Sequence, residues 1–271
     1  MKNYNSIYII KKKNIVHGGK RLKKKILTRP LLSIITVVFN GDKHLEQTIK
    51  SVLKQKKIFE YIIIDGQSKD KTLNIIKKYS KKITYWVSDK DKGIYDAFNK
   101  GMKISRGKYI GIINSDDVYK NKAFSVVEKY VNQNPNADFI FGSVKKHWGV
   151  LHGYKPEKIK YSWGFYSSHS TGFFIKTKSA KKVGLYNLKY RYHADYDFFY
   201  RMIVKKKMVG IATNKNEILG VFRRGGYSST IPYRKLFFEE IKIRYDNNQN
   251  IFLLLFLTLY KIFKHFKKLI F

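Results

Sequence analysis

Short apolar stretches alternate with amphipathic stretches from residue 31 to about residue 120, and this alternation constrains the fold most strongly. The apolar stretches predict strands at 31–39, 59–64, 83–87 and 109–113. Between them, apolar residues recur at helical spacing, which predicts helices at 43–55, 71–79 and 94–105. Strands that alternate with helices build parallel sheets covered by helices on both faces. We therefore predict the α/β class, with a mainly parallel central sheet flanked by helices.

Polar residues, most of them acidic, follow the predicted strands. They are Asn40 after the first strand, Asp65 after the second, Asp89 and Asp91 after the third, and Asp116 and Asp117 after the fourth. The carboxyl ends of parallel strands meet at one edge of the sheet, where α/β proteins bind ligands. Because the chain has only 19 acidic residues against 56 basic ones, ordinary turns do not explain acids at successive strand ends. The sequence predicts a ligand crevice at this edge.

Four motifs in order resemble those of the family 2 glycosyltransferases, which have the GT-A nucleotide-sugar-binding fold. The motifs are TVVFN (36–40), IDGQSKDKT (64–72), SDKDKGIYDAFNKG (88–101) and GKYIGIINSDD (107–117). The resemblance continues through His169, the HADYD segment (193–197) and the GGYSS turn (225–229), and it covers about four fifths of the chain. It implies a glycosyltransferase domain at 31–245, with a donor-binding half at 31–120 and an acceptor half at 121–245.

The resemblance places Asp116 and Asp117 at the metal motif of the family. A departing nucleoside diphosphate gains negative charge, which a divalent cation on hard oxygen ligands neutralises. Adjacent carboxylates after a buried strand repel each other, and this also favours a bound cation. We expect Asp117 to ligate Mg²⁺ or Mn²⁺ directly and Asp116 to face the ribose or the diphosphate. The alternative interpretation of this segment is a helix N-cap.

The resemblance assigns further residues to binding of the nucleotide-sugar donor. Asp65 is expected to accept a hydrogen bond from the uracil imide, which favours a UDP-sugar. The other expected donor contacts are Thr36, Asn40, Asp91, Asp96, Asp116, His169 and Arg224. For His169 the alternative is a packing role, and for Arg224 it is an exposed position in an ordinary loop.

The HADYD segment supplies the candidate catalytic base. Inverting glycosyl transfer needs a group that takes the proton from the acceptor hydroxyl as this attacks the anomeric carbon. The resemblance makes Asp195 this base, although Ala194 stands where the family usually has a second acid, and Asp197 is the second choice. A structural carboxylate at a helix N-terminus is the alternative.

The two ends of the chain differ from its middle. The first 30 residues contain ten Lys or Arg, no acid and no apolar core of a signal peptide, so 1–30 is predicted to be a basic N-terminal arm. Residues 246–271 combine bulky apolar side chains with lysines at helical spacing, which predicts a C-terminal amphipathic helix on an anionic membrane surface, with a core helix as the alternative. No stretch reaches about 18 uninterrupted apolar residues. We expect a cytoplasmic protein, peripheral on the inner face of the cell membrane.

Composition narrows the possible functions. The absence of cysteine excludes disulfide scaffolds, zinc-thiolate sites and cysteine nucleophiles. The main hypothesis is an inverting, metal-dependent glycosyltransferase that moves a sugar from a nucleotide-sugar donor to a glycan or lipid-linked acceptor in surface polysaccharide or lipopolysaccharide synthesis. The net charge of +37 and the 16% aromatic content leave a nucleic-acid-binding protein without catalysis as the alternative. Acids in the predicted crevice would repel a phosphate backbone, so we expect no specific nucleic-acid partner.

Overall fold

The computed structural model describes residues 15–22, 28–56, 59–161, 170–223, 225 and 231–270. The strands of these segments are β1 (Val16–Gly18), β2 (Leu32–Val38), β3 (Phe59–Asp65), β4 (Tyr85–Ser88), β5 (Tyr109–Asn114), β6 (Val118–Tyr119), β7 (Phe139–Phe141), β8 (Ser143–Lys146), β9 (Gly149–Leu151), β10 (Phe173–Lys176), β11 (Gly210–Ala212) and β12 (Ile218–Val221). The α-helices are α1 (Asp42–Leu53), α2 (Thr72–Lys78), α3 (Ile94–Ile104), α4 (Ala123–Gln133), α5 (Thr177–Val183), α6 (Ala194–Tyr200), α7 (Tyr233–Asp246) and α8 (Ile251–Ile270). Short 3₁₀ helices occur at Lys20–Leu22 and Pro156–Lys160, and α6 continues into a π-helical turn at Arg201–Lys205.

The main sheet has the strand order β1-β4-β3-β2-β5-β10-β7-β11. Its four central strands, β4, β3, β2 and β5, are parallel, whereas β10 runs antiparallel to both of its neighbours. A smaller sheet has the order β6-β12-β8-β9. The predicted strands and helices of residues 31–113 are confirmed within a few residues at their ends, and the predicted α/β class with a mainly parallel centre is confirmed.

The central strands are apolar along their whole length because both faces of the sheet are covered. Ile35 and Ile62 pack on one face with residues of α3 and α6. Their neighbours Ile34 and Ile63 pack on the other face with residues of α1, α2 and α4. Successive side chains of a strand point to opposite faces, so this alternation fixes the register of the sheet between the two helical layers. The carboxyl ends of β2 to β5 are thereby held at one edge.

The main sheet begins before the predicted domain boundary at residue 31. Strand β1 pairs antiparallel with β4, and Arg21 forms an ion pair with the buried Glu60 of β3. The described part of the predicted basic arm is therefore an edge of the sheet. Residues 1–14 and 23–27 lie outside the described residues.

The C-terminal helix α8 packs on α7. Lys261 of α8 forms an ion pair with Glu240 of α7, and Leu254 and Leu257 are buried in the same contact. A kink at His265 interrupts α8 near its end. Within the described segments we found no helix with the length and hydropathy needed to cross a bilayer.

Candidate functional site

The polar strand ends lie side by side, as the strand order requires. In the sheet register, Val38 pairs with Asp65, Asp65 pairs with Ser88, and Val37 pairs with Asn114. From β4 to β5 there are three strand spacings, so the row of loops spans about 14 Å. The loops after these four strands form one continuous rim, which we call the carboxylate rim (residues 39–41, 65–68, 89–93 and 114–117).

Asn40 joins the first two loops of the carboxylate rim. It has a left-handed backbone (φ 50°), its Oδ1 accepts a hydrogen bond from Lys69 N at 2.9 Å, and its own N–H donates to Ser68 Oγ at 2.7 Å. Asn tolerates this conformation better than most residues. Thr36 lies two residues inside the strand end, where its fully buried hydroxyl pairs with Tyr61 at 3.0 Å. The side chain of Thr36 therefore does not reach the rim.

Asp65 is fully buried beneath the rim. Its Oδ2 accepts a hydrogen bond from Ser88 Oγ at 2.6 Å, and its Oδ1 accepts one from the Ser68 hydroxyl. A Cβ on Gly66 would lie 2.6 Å from Asp91 Oδ2, so only glycine permits this close approach. The ring of Phe39 lies 3.3 Å from the same point and is 63% exposed. Phe39, Gly66 and Asp91 thus lie close together at the rim, with an exposed aromatic ring and a half-buried carboxylate next to the glycine.

Asp91 and Asp96 shape the third loop. Asp91 Oδ1 accepts a hydrogen bond from Gly93 N at 2.9 Å, and Asp96 Oδ2 accepts one from Lys92 N at 3.1 Å. Gly93 has φ 114°, a conformation that favours glycine, and α3 begins at the next residue. Burial raises the pKa of Asp91, and the charges of Asp96 and Asp65 raise it further. Asp96 therefore stabilises the loop at the start of α3, while Asp91 places a carboxylate beside Gly66.

The two carboxylates after β5 have different surroundings. Asp117 is 1% exposed, and it accepts hydrogen bonds from Thr171 Oγ1 at 2.7 Å and from Arg223 N at 3.0 Å. Burial, and next the charge of Asp116, raise the pKa of Asp117 to about 7. Asp116 is half-buried and lies at the rim. The N-cap alternative is wrong, because Lys122 is the N-cap residue of the following helix, α4.

Basic groups surround this pair of carboxylates. The Arg223 guanidinium donates to His44 Nδ1 at 2.8 Å and to Gln47 Oε1 at 2.7 Å. Burial lowers the pKa of Lys146, and the nearby charge of Asp117 opposes that shift. His44 and Lys146 were not singled out from the sequence, because only the fold brings α1 and β8 to the end of β5. Cationic side chains beside carboxylates suit a phosphate-bearing ligand that carries its own cation.

Asp195 is connected directly to the donor half. Its Oδ1 accepts hydrogen bonds from Tyr95 Oη at 3.0 Å and from Tyr196 N at 2.9 Å. Tyr95 belongs to the first turn of α3, directly after the Asp91 loop. Burial and the charge of Asp195 raise the pKa of Tyr95 well above its usual value, so its hydroxyl remains a donor. The Asp195 carboxylate is therefore held in one orientation beside the third loop.

Asp197 takes part in a separate network. Its Oδ2 pairs with Arg201 Nε at 2.9 Å, and its Oδ1 accepts a hydrogen bond from Asn247 Nδ2 at 2.9 Å. Residues two apart on a helix are separated by about 200°, so Asp195 and Asp197 face different sides of α6. This network joins α6 to the end of α7, which assigns Asp197 a structural role.

Glu239 of α7 fixes the segment that leads to Asp195. Its carboxylate accepts hydrogen bonds from the backbone N–H groups of Arg191 at 2.5 Å, Tyr192 at 2.7 Å and His193 at 2.7 Å. No pattern in the sequence indicates this contact, because the partners are more than 40 residues apart and the donors are main-chain groups. His169 and Arg224, and the 226–229 part of the GGYSS turn, lie outside the described residues.

A separate cavity of about 480 Å³ lies at the opposite edge of the sheet, where β2 and β5 begin. Four basic residues contribute to its lining, namely Arg29, Lys108, Lys176 and Lys178. No carboxylate lines it. The chemistry of the carboxylate rim is therefore distinct from that of this cavity.

The carboxylates at the end of β5 fit a divalent cation. No group of three or more His, Asp or Glu side chains with metal-binding geometry occurs among the residues described here. Mg²⁺ is commonly held by one or two carboxylates, with substrate phosphates and water completing its coordination. Asp116 and Asp117 supply two adjacent carboxylates, and the pKa of Asp117 is raised by burial and next by the charge of Asp116, both of which a bound cation would offset.

Comparisons with known proteins agree with the fold and the motifs. Residues 33–206 match the model of Glycosyl transferase family 2. A protein of Methanocaldococcus jannaschii, named as an uncharacterized glycosyltransferase, is 30% identical over 243 residues, which covers 83% of this chain and 82% of that protein. The four motifs of the donor half, at 36–117, lie inside the matched region.

Two solved structures share the fold. Residues 1–349 of Staphylococcus aureus TarS, in complex with UDP-GlcNAc, align with a TM-score of 0.66 and 16% identity over 87% of this chain and 72% of that one. The mannosyltransferase PcManGT of Pyrobaculum calidifontis, in complex with GDP-Man and Mn²⁺, aligns with a TM-score of 0.61 and 15% identity over 84% of this chain and 68% of that one. The match to the family model and the relative in M. jannaschii also argue against a protein without catalysis. The chain belongs to glycosyl transferase family 2, has its GT-A fold, and is a glycosyltransferase.

Proposed function

We propose that this glycosyltransferase is inverting and metal-dependent, and that it moves a hexosyl group from a UDP-sugar to a glycan or lipid-linked saccharide in surface polysaccharide or lipopolysaccharide synthesis. The observation that carries the proposal is the carboxylate rim, in which acids from three strand ends and Asn40 from the fourth lie in one row, with Asp195 attached to it through Tyr95. The TarS structure contains UDP-GlcNAc, and this supports the choice of a uridine donor.

The uracil base binds against Phe39, Gly66 and Asp91, which lie close together at the rim. The exposed ring of Phe39 stacks on the base, since aromatic side chains stack on any nucleobase. Uracil presents an N3–H donor, which a carboxylate accepts. Asp91, which lies beside Gly66 and Phe39, accepts this donor, whereas Asp65, the reader expected from the sequence, is fully buried, has both oxygens bonded to Ser68 and Ser88, and supports the loop from below. Asn40 holds the neighbouring loop in place beside the ribose.

The diphosphate binds at the end of β5. When bound there, Mg²⁺ or Mn²⁺ supplies positive charge that stabilises the leaving diphosphate. Asp116 would ligate the cation directly, because it lies at the rim. Asp117 would be the second carboxylate beside the cation, because it is buried and already accepts two hydrogen bonds. This order reverses the roles expected from the sequence. Arg223 and Lys146 add positive charge beside the phosphates, and Arg224 and His169 remain predicted donor contacts.

Asp195 acts as the general base. It accepts the proton of the acceptor hydroxyl while the hydroxyl oxygen forms a bond to the anomeric carbon and the bond to the diphosphate breaks. Attack from the face opposite to the diphosphate inverts the configuration at this carbon. Tyr95 orients the Asp195 carboxylate by donating to Oδ1, which leaves the negative charge available for the incoming proton. The acceptor approaches at the cytoplasmic side of the cell membrane.

A donor screen tests the proposed function. Purified protein is incubated with UDP-, GDP- and dTDP-sugars with Mn²⁺, with Mg²⁺ and with a chelator, and release of the nucleoside diphosphate is followed. We expect release from one or a few UDP-sugars, and its loss when the chelator is present. Equal release in chelator would contradict the metal dependence, and release only from GDP- or dTDP-sugars would contradict the choice of a uridine donor. An inverted product anomer, measured by NMR with an accepted glycan, would complete the test.

A further inference from the structure

Helix α8 exposes its most apolar side. Seven Ile, Leu and Phe residues in the part before the kink at His265 are exposed to solvent, and two of them, Phe252 and Phe263, are 78% and 89% exposed. The seven are Ile251, Phe252, Leu255, Phe256, Leu259, Ile262 and Phe263. Isolated exposed apolar residues are common, but contiguous apolar patches on a protein surface mark interaction sites.

These seven residues form one stripe. At 100° per residue they fall within an arc of about 140° around the helix axis. The residues that pack on α7, Leu254, Leu257 and Lys261, lie on the other side of the helix. Helix α8 therefore packs on α7 through a face that has both apolar and charged side chains, and its apolar stripe faces the solvent. We call this stripe the α8 face.

Lysines border the α8 face. Lys264 and Lys267 lie beside the α8 face, and Lys268 is the next residue along the helix. All three side chains are exposed. Residues 251–270 contain no acid, and the whole chain carries a formal charge of +37. Bulky apolar side chains bordered by lysines are the pattern of helices that lie in the interface of an anionic membrane.

We propose that the α8 face docks on the surface of an anionic lipid bilayer, with the helix axis in the plane of the membrane. The phenylalanines enter the boundary between headgroups and acyl chains, and the lysines contact the anionic headgroups. A second copy of the chain is a poorer occupant, because a two-fold contact brings the same lysine-bordered face of both copies together. The repulsion between these lysines would oppose dimerisation, whereas anionic lipid complements them.

The apolar part of the proposal is tested by vesicle co-sedimentation with phosphatidylcholine vesicles that either contain or lack phosphatidylglycerol. We expect the full-length protein to bind the anionic vesicles, and the triple variant Phe252→Ser, Phe256→Ser, Phe263→Ser to bind them at least about tenfold more weakly. The matched control Trp148→Ser, Leu188→Ser, Val209→Ser removes three exposed apolar side chains elsewhere. This control is expected to bind within about twofold of the wild type.

The charged part is tested with Lys264→Gln, Lys267→Gln, Lys268→Gln. Each lysine near an anionic surface contributes about fivefold to binding, so the triple variant should lose at least about tenfold. The control Lys77→Gln, Lys81→Gln, Lys82→Gln lowers the net charge equally at exposed positions away from α8, and it should lose less than about threefold. Thermal unfolding of all four variants establishes that each is folded, which the exposure of the substituted residues leads us to expect.

Two results would overturn the proposal. Equal binding to neutral and anionic vesicles would show that the lysines do not contribute to binding through anionic headgroups. Failure to bind either vesicle, together with a concentration-dependent dimer in light scattering that the phenylalanine variant abolishes, would identify a second copy as the occupant. Neither result depends on catalysis, so the docking surface and the proposed function fail independently.

Discussion

The two pairs of acids in this protein, Asp116 with Asp117 at the end of β5 and Asp195 with Asp197 on α6, follow the same arrangement. In each pair one member is bonded to groups away from the crevice: Asp117 to Thr171 and the backbone of Arg223, and Asp197 to Arg201 and Asn247. The other member lies at the crevice or next to its loops. A second carboxylate in a motif therefore does not have to contact the ligand, since it can instead join neighbouring segments of the protein.

The largest contrast is expected within the α6 pair. Asp195→Asn removes the proposed base but retains an oxygen that accepts from Tyr95, so kcat should fall by about 10²- to 10⁴-fold. UDP affinity should remain within about twofold, as measured by titration calorimetry. Turnover close to the wild-type rate would mean that Asp195 is not the base.

Substitutions of Asp116 and Asp117, the pair after β5, should also differ in their effects. Asp116→Ala is expected to weaken UDP binding in Mn²⁺ by about 100-fold, and to have little effect on UDP binding in chelator, because the direct ligand of the cation is lost. Isothermal titration calorimetry under both conditions measures the difference. If Asp117→Ala, in a folded state, lost the metal effect while Asp116→Ala kept it, the two roles would be the reverse of those proposed here.

The anchored member of the α6 pair should affect stability more than catalysis. Asp197→Asn leaves the Arg201 guanidinium without its partner charge, and breaking such a largely buried ion pair should lower the free energy of unfolding by about 2–3 kcal/mol. Urea denaturation measures this loss, and kcat of the folded fraction should stay within about fivefold. A large fall in kcat at unchanged stability would move Asp197 into the catalytic site.

The pKa of Asp117 predicts a pH dependence. The pKa is raised in the folded protein to about 7, so between about pH 4 and pH 7 the folded state binds more protons than the unfolded state. In metal-free protein, the contribution of Asp117 to stability therefore decreases as pH rises through this range. Protons also compete with the cation, so Mn²⁺ affinity in the presence of UDP should fall by up to about tenfold per pH unit below pH 7. Affinity that is independent of pH between about 5 and 8 would contradict this coupling.

The smallest effect is expected at Glu239. Glu239→Gln weakens the charge-assisted hydrogen bonds to the main chain of residues 191–193, so kcat should fall about threefold to tenfold while the KM for the donor is unchanged. Glu46→Gln is a control, since this carboxylate on α1 also accepts hydrogen bonds but lies outside the site. A change in donor KM without a change in kcat would exclude the positioning role.

The donor half was predictable from sequence because its strands are buried on both faces and its helices on one, and both patterns are visible as periodicity. The same pattern also predicted which edge of the sheet holds the candidate site. The orientation of each carboxylate was not predictable, because it depends on distant partners. Thr171 is 54 residues from Asp117, and Tyr95 is 100 residues from Asp195. The burial of Thr36 also depends on its neighbour Tyr61 across the sheet.

The most direct test of the central claim is a crystal structure with UDP and Mn²⁺, with the ion located by its anomalous scattering. We predict that the ion contacts the Asp116 carboxylate, that the diphosphate lies beside Arg223 and Lys146, and that the uracil ring stacks on Phe39. A nucleotide bound in the basic cavity at the opposite edge of the sheet, or an ion distant from Asp116 and Asp117, would contradict the assignment of the carboxylate rim as the donor site.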